Sequence, residues 1–139
     1  MKNRKDNMKQ GKLEDRLQMR RLTVDDTAQY NALLRYAFQV TDNELASLGW
    51  NQKEMERSKK PVLKKTESFG WFDGEKLASQ ISVYPMQVNL FGTMYNMGGV
   101  TGVATYPEYM GHGLMAHLMK KALDNMRENH QCVSMLFPY

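Results

Sequence analysis

The chain has 139 residues, a net charge of +4 and a single cysteine; that length allows one domain or a piece of one. One thiol, Cys132, excludes an intrachain disulfide and any multi-cysteine metal site. No stretch approaches the ~18 consecutive apolar residues of a membrane span, and the N-terminus lacks the apolar core of a secretory signal, so a cytoplasmic location without a membrane partner is expected.

The charge is uneven. Residues 1–21 hold eight Lys/Arg against three Asp/Glu, and the rest of the chain is slightly acidic. A basic leader can touch nucleic acid, but this one has no interleaved aromatics, so a solvated tail is the favoured reading. Residues 1–18 carry almost no apolar side chains and are expected to be disordered or loosely helical. The domain is expected to span 19–139.

Met19–Leu22 reads as a short strand. Thr23 ahead of Asp25 and Asp26 resembles an N-cap, and Tyr30, Leu33, Leu34 and Phe38 follow at helical spacing, which predicts an amphipathic helix over 24–38. The polar segment 42–60 holds a second, shorter helix that Pro61 should end. From residue 67 the pattern becomes β-rich. Ser68–Asp73 and Lys76–Asn89 flank Asp73-Gly74, a hairpin signal. A turn at Phe91-Gly92 leads into Thr93–Thr105, completing an antiparallel meander. Pro85 implies a bulge or an edge. Met115, Leu118, Met119, Ala122, Leu123 and Met126 then form one apolar helix face that ends near Asn129. Cys132–Phe137 is a last short strand, making a βαβ-like unit, and the chain stops at Pro138-Tyr139.

The stretch 100–119, VTGVATYPEYMGHGLMAHLM, carries the chemistry. Pro107 fixes one backbone angle. Gly111 and Gly113 permit positive φ and leave no Cβ in a ligand's way. The amides opening the helix have no intrahelical partner and lie at the positive end of its dipole, so phosphate is their natural ligand. A Gly-x-Gly before a helix is also often a plain tight turn. The P-loop spacing is absent. Gly111-x-Gly113-x-x-Ala116 matches a dinucleotide fingerprint, but it follows a meander rather than the first strand of a Rossmann unit.

A strand, two helices, a three-strand meander, a phosphate-binding turn and helix, then a strand: over residues 19–139 this order resembles the GCN5-related N-acetyltransferases. The family's Arg/Gln-x-x-Gly-x-Gly/Ala signature falls on Met110–Met115, after Val103-Ala104-Thr105 and Pro107. Met110 stands where Arg or Gln is usual, which removes a side chain near the phosphates and leaves the backbone amides. Met115 stands where a small residue is usual, as in a subgroup typified by the enhanced intracellular survival proteins. Phe72–Lys76 and Ser82-Val83-Tyr84-Pro85 also look like that subgroup.

The resemblance implies an α/β (α+β) acyltransferase fold, with a mostly antiparallel sheet flanked by helices. It implies acetyl transfer from acetyl-coenzyme A to a primary amine. Val103, Ala104 and Thr105 would pair with the pantetheine arm and acetyl carbonyl. Amides of Gly111, His112, Gly113, Leu114, Met115 and Ala116 would hold the pyrophosphate. Strands 100–105 and 132–137 would splay around the thioester. In the family, a tyrosine on the following helix protonates the leaving thiolate, and in the subgroup a distant C-terminal carboxylate is the base; both are expected beyond Tyr139, which itself is assigned no role. The last strands of the fold are missing too, so the chain resembles the N-terminal part of an acetyltransferase, its last strand edge open to self-association.

Among single residues, Cys132 reads as a buried core thiol and His112 as a loop histidine within reach of a phosphate. His117 reads as peripheral, and Glu108 and Glu128 have no discernible partner. Trp71 and Phe72 are expected in the core, and Trp50 is left open. No histidine has metal-ligand spacing with Cys, Asp or Glu, so no metal is expected. The competing reading is a non-catalytic interaction module that binds nucleic acid through its leader.

Overall fold

The computed structural model describes residues 12–137. The expectation for 1–11 and the terminal Pro138-Tyr139 lie outside the described residues. A single helical turn, α1 (Leu13–Arg16), precedes β1 (Leu17–Arg21), so structure begins earlier than residue 19. Leu17 is the reason: it is buried against Ala78, Tyr109 and Leu114.

The predicted helix over 24–38 divides into a 3₁₀ turn, Val24–Asp26, and α2 (Thr27–Ala37). Thr23 and Asp26 form a reciprocal capping box, satisfying two of the free amides at the helix start. Two more helices follow, α3 (Asp42–Ser47) and α4 (Gln52–Lys65), each opened by its own capping box, Thr41/Glu44 and Asn51/Glu54. Pro61 therefore does not end a helix; it sits inside α4. Pro61 and Arg57, whose carbonyl loses its amide partner, are both exposed, so the break falls on the solvent side of the helix, while Leu63 stays buried in the core.

The meander is as predicted: β2 (Glu67–Asp73), β3 (Lys76–Leu90) and β4 (Thr93–Thr105). Gly74 turns the first hairpin at φ 62°. Phe91 and Gly92 turn the second, both at positive φ (52° and 88°), as a type I′ loop requires. Helix α5 (Leu114–Glu128) and β5 (Val133–Leu136) complete the described chain. The five strands lie in the order β1-β2-β3-β4-β5; only β4 and β5 run parallel, from Met97↔Val133 to Val100↔Leu136. Pro85 lies beyond Val83, the last β3 residue paired with β2, so that side of the strand is an edge. No helix among the described residues is long and apolar enough to cross a membrane.

Strand alternation assigns the helices to opposite faces. Ile81 and Val83 pack with Leu118, Ala122 and Met126 of α5, whereas Gln80 and Ser82 bond to Tyr30 of α2. On the α2 side, Tyr30, Leu33, Leu63, Phe72, Leu77 and Ala104 form the core. Each leucine and the phenylalanine among them contributes about 2 kcal/mol by burial. Leu123 departs from its predicted place and is 47% exposed; Asn125 is buried instead and accepts from Asn129.

Candidate functional site

Gly102 interrupts the β3–β4 ladder. Ser82 pairs with Thr101 and Gln80 with Ala104, so Gly102 and Val103 together oppose Ile81. That is a bulge, with Gly102 at φ 63°. The hydroxyl of Tyr30 fills the space where a Gly102 side chain would be. Behind it runs a buried chain of hydroxyls: Ser82 Oγ donates to Tyr30 Oη at 3.1 Å, and Ser82–Ser68 and Ser68–Thr66 follow at 2.7 Å each. Burial raises the Tyr30 phenol above its ordinary value, with Ser82 opposing, so the phenol stays protonated at neutral pH. Beyond Val100, β4 faces no second strand among the described residues, and its edge from Thr101 to Thr105 is open to a ligand.

The turn after β4 is rigidly fastened. Pro107 starts a 3₁₀ turn, Pro107–Tyr109. Tyr109 is buried, and its hydroxyl donates to Asp73 Oδ2 at 3.0 Å, an oxygen that also accepts from Arg16 at 3.1 Å. Glu108 has a partner after all: Lys76 Nζ lies 2.7 Å from it and over the rings of Tyr106 and Tyr109. Sequence separation hides this pair, which the hairpin brings together. Gly111 and Gly113 then take φ 80° and 72°, with nothing within 4 Å of where either Cβ would stand. Gly113 caps α5 without a side-chain bond. The backbone amide of His117 donates to Gly113 O at 3.2 Å, so the amides of Leu114, Met115 and Ala116 precede that first helical bond. Trp71 Nε1 donates to Leu114 O at 3.0 Å, which ties the start of α5 to β2.

These elements enclose a cleft of about 640 Å³. Its wall includes Val103, Ala104 and Thr105 from β4, and Gly111, Gly113, Leu114, Met115 and Ala116 from the turn and helix. His112 is the predicted site residue that the cleft does not take in; its Nδ1 lies 3.9 Å from Glu14 Oε1 instead. Among the described residues no lysine or arginine lines the cleft; the groups there that could hold an anion are backbone amides and neutral side chains such as Gln39 and Thr105. The far wall, Tyr36, Ala37 and Gln39 at the end of α2, was not legible in the sequence. The Gly102 bulge was also missed, although a glycine inside a strand pattern is the usual signal of one.

Val103 also lines a second cavity of about 500 Å³, between Gly99–Val103 of β4 and Met135–Phe137. That cavity shares Phe38, Tyr84, Thr101 and Gly102 with a third, of about 380 Å³, under α2 and α4. The three run in series along β4, with Gly102 between the last two.

Of the single residues, Phe72 is buried, Trp71 is half-buried, and His117 sits edge-on to Trp71 with 6.0 Å between ring centroids. Trp50 is 46% exposed. Cys132 is exposed, not buried. Helix α5 lies across β2, β3 and β4, so β5 has little cover, and Cys132 precedes it with its amide on Asn96 O.

A sequence model of the acetyltransferase (GNAT) domain matches residues 18–139. The chain belongs to the GNAT acetyltransferase domain family. Among solved structures, a conserved protein of unknown function and probable N-acyltransferase from Enterococcus faecalis V583 is similar at 29% identity and a TM-score of 0.72. A GCN5-related N-acetyltransferase from Kribbella flavida is similar at 20% identity and a TM-score of 0.73. The match covers 88% of this chain in each case but only 29% and 30% of those two chains. A predicted acetyltransferase from Clostridium acetobutylicum, a structure with acetyl-CoA, shares the fold at 12% identity and a TM-score of 0.68, over 88% of this chain and 80% of that one. No curated protein matches the chain.

Proposed function

We propose that this GNAT domain binds acetyl-coenzyme A and directs its acetyl group to a primary amine. The observation that carries the reading is the one cleft joining the open edge of β4 to the start of α5, where no side chain caps the first amides. An extended pantetheine arm can add to that edge as a strand would. The amides of Leu114, Met115 and Ala116 can take the pyrophosphate, and Gly111 and Gly113 leave room for it.

The transfer is direct. The amine nitrogen bonds to the acetyl carbon, the carbon–sulfur bond breaks, the amine loses a proton and the thiolate gains one. A backbone amide released by the bulge at Gly102–Val103 is suited to the developing oxyanion. The acid and base lie outside residues 12–137 in this reading. Location in the cytoplasm, and a place among the enhanced intracellular survival-like members, belong to the same proposal; Met115 at the signature's last position supports the latter.

Calorimetry tests the donor site. Acetyl-coenzyme A should bind the folded chain, and Gly113→Trp should abolish binding with the far-ultraviolet circular dichroism unchanged. A folded wild-type chain that shows no binding overturns the proposal.

A further inference from the structure

The cavity under α2 and α4 has the wrong charge for a polycation. Its walls are largely apolar, including Leu34, Val40 and Met55, and its charged lining residues are Arg35 and Lys59. Among the described residues no aspartate or glutamate lines it, the cavity beside it, or the donor cleft. Arg35 is only 15% exposed and donates to Val40 O at 3.3 Å and Asp42 Oδ1 at 2.6 Å. Asp42 is 83% exposed, so solvent screens its charge. Lys59 is half-buried and makes no ion pair among the described residues.

We propose that this cavity receives the acceptor, and that the acceptor is an amine on an apolar body that also carries an anion, a carboxylate or a phosphate ester. The inference rests on the N-acetyl transfer proposed above and specifies its second substrate. An ammonium brought here would lose its hydration without meeting a carboxylate, which is costly. The anion of the acceptor meets Lys59 and Arg35 instead. Like charges nearby also disfavour the ammonium form of the amine, so the site itself favours the neutral nitrogen that attacks the thioester. Gly102 lies in the wall between this cavity and the one reached from the donor cleft.

The test uses the full 139-residue chain, labelled with nitrogen-15 and titrated with four amines with and without acetyl-coenzyme A. Phenylalanine and tyramine phosphate carry an anion, phenethylamine has none, and spermidine is a polycation. The readout is the shift of the Gly102 amide. At least one anionic amine should bind ten times or more tighter than phenethylamine, and spermidine should bind weakest. Phenylalanine against tyramine phosphate separates carboxylate from phosphate. Lys59→Glu should erase the preference, with acetyl-coenzyme A affinity as the control for folding. Equal or tighter binding of phenethylamine or spermidine overturns the inference. So does a preference that survives Lys59→Glu, or no shift with any amine. Loss of acetyl-coenzyme A binding alone counts against the donor site and leaves the acceptor result standing.

Discussion

The Tyr30 hydroxyl occupies the place a side chain on Gly102 would need: a Cβ there would collide with the oxygen. The bulge and the tyrosine are thus fitted to each other. Gly102→Ala adds a collision to a positive φ and should cost about 3 kcal/mol in urea unfolding. Tyr30→Phe, which loses the Ser82 bond, should cost about 1 kcal/mol. In the double variant the oxygen is gone, so its cost should fall at least ~1 kcal/mol below the sum of the two. Additive costs would show that the contact does not govern the bulge.

Among the described residues no cation lines the cleft near the expected pyrophosphate, and Met110 stands at its edge, 59% exposed. Met110→Arg should tighten acetyl-coenzyme A binding several-fold at low ionic strength. The gain should fade towards 1 M salt, where screening shortens to about 3 Å. Calorimetry at two salt concentrations measures it, and an unchanged affinity at low salt would place the phosphates elsewhere.

Arg20 grips Asp26 through two hydrogen bonds, of 2.8 and 2.9 Å, while stacking 3.7 Å from the Phe72 ring centre. The Arg20 guanidinium, aided by the Thr23 amide, holds the Asp26 carboxyl below its ordinary value. A carboxylate lowered in this way stabilises the fold fully above its unfolded pKa, about 3.9. That contribution is lost as pH falls through the lower folded value. Unfolding free energy should therefore drop as acid is added below about pH 4. Asp26→Asn should flatten part of this slope and cost about 2 kcal/mol at neutral pH. Parallel pH profiles for the two proteins would refute the assignment.

Because Cys132 is exposed, a thiol reagent should label it under native conditions at the rate seen in denaturant. Labelling slowed a hundredfold by the fold would mean that the residue is covered in solution.

The sheet was readable because its signals are local. Asp73-Gly74 and Phe91-Gly92 set the two hairpins, and the spacing from Met115 to Met126 sets α5. The β4 and α5 walls of the cleft were readable for the same reason, since 103–105, 111 and 113–116 are close in sequence. What escaped depends on partners far along the chain. Tyr36 and Gln39 reach the cleft only because α2 crosses β4. Lys76 meets Glu108 through the fold, and Cys132 is exposed because α5 stops short of β5. Pro61 misled because the lost bond and ring clash that disfavour proline inside a helix fall on the exposed side of α4, where the Asn51/Glu54 cap and the burial of Leu63 outweigh them.

Among the described residues, each strand after β1 lies beside the strand that precedes it in sequence. No strand has to open an existing pair to find its place. As the polypeptide leaves the ribosome, each new strand meets a free edge already waiting. Assembly can keep pace with translation, without long intervals of exposed, unpaired backbone that invite aggregation.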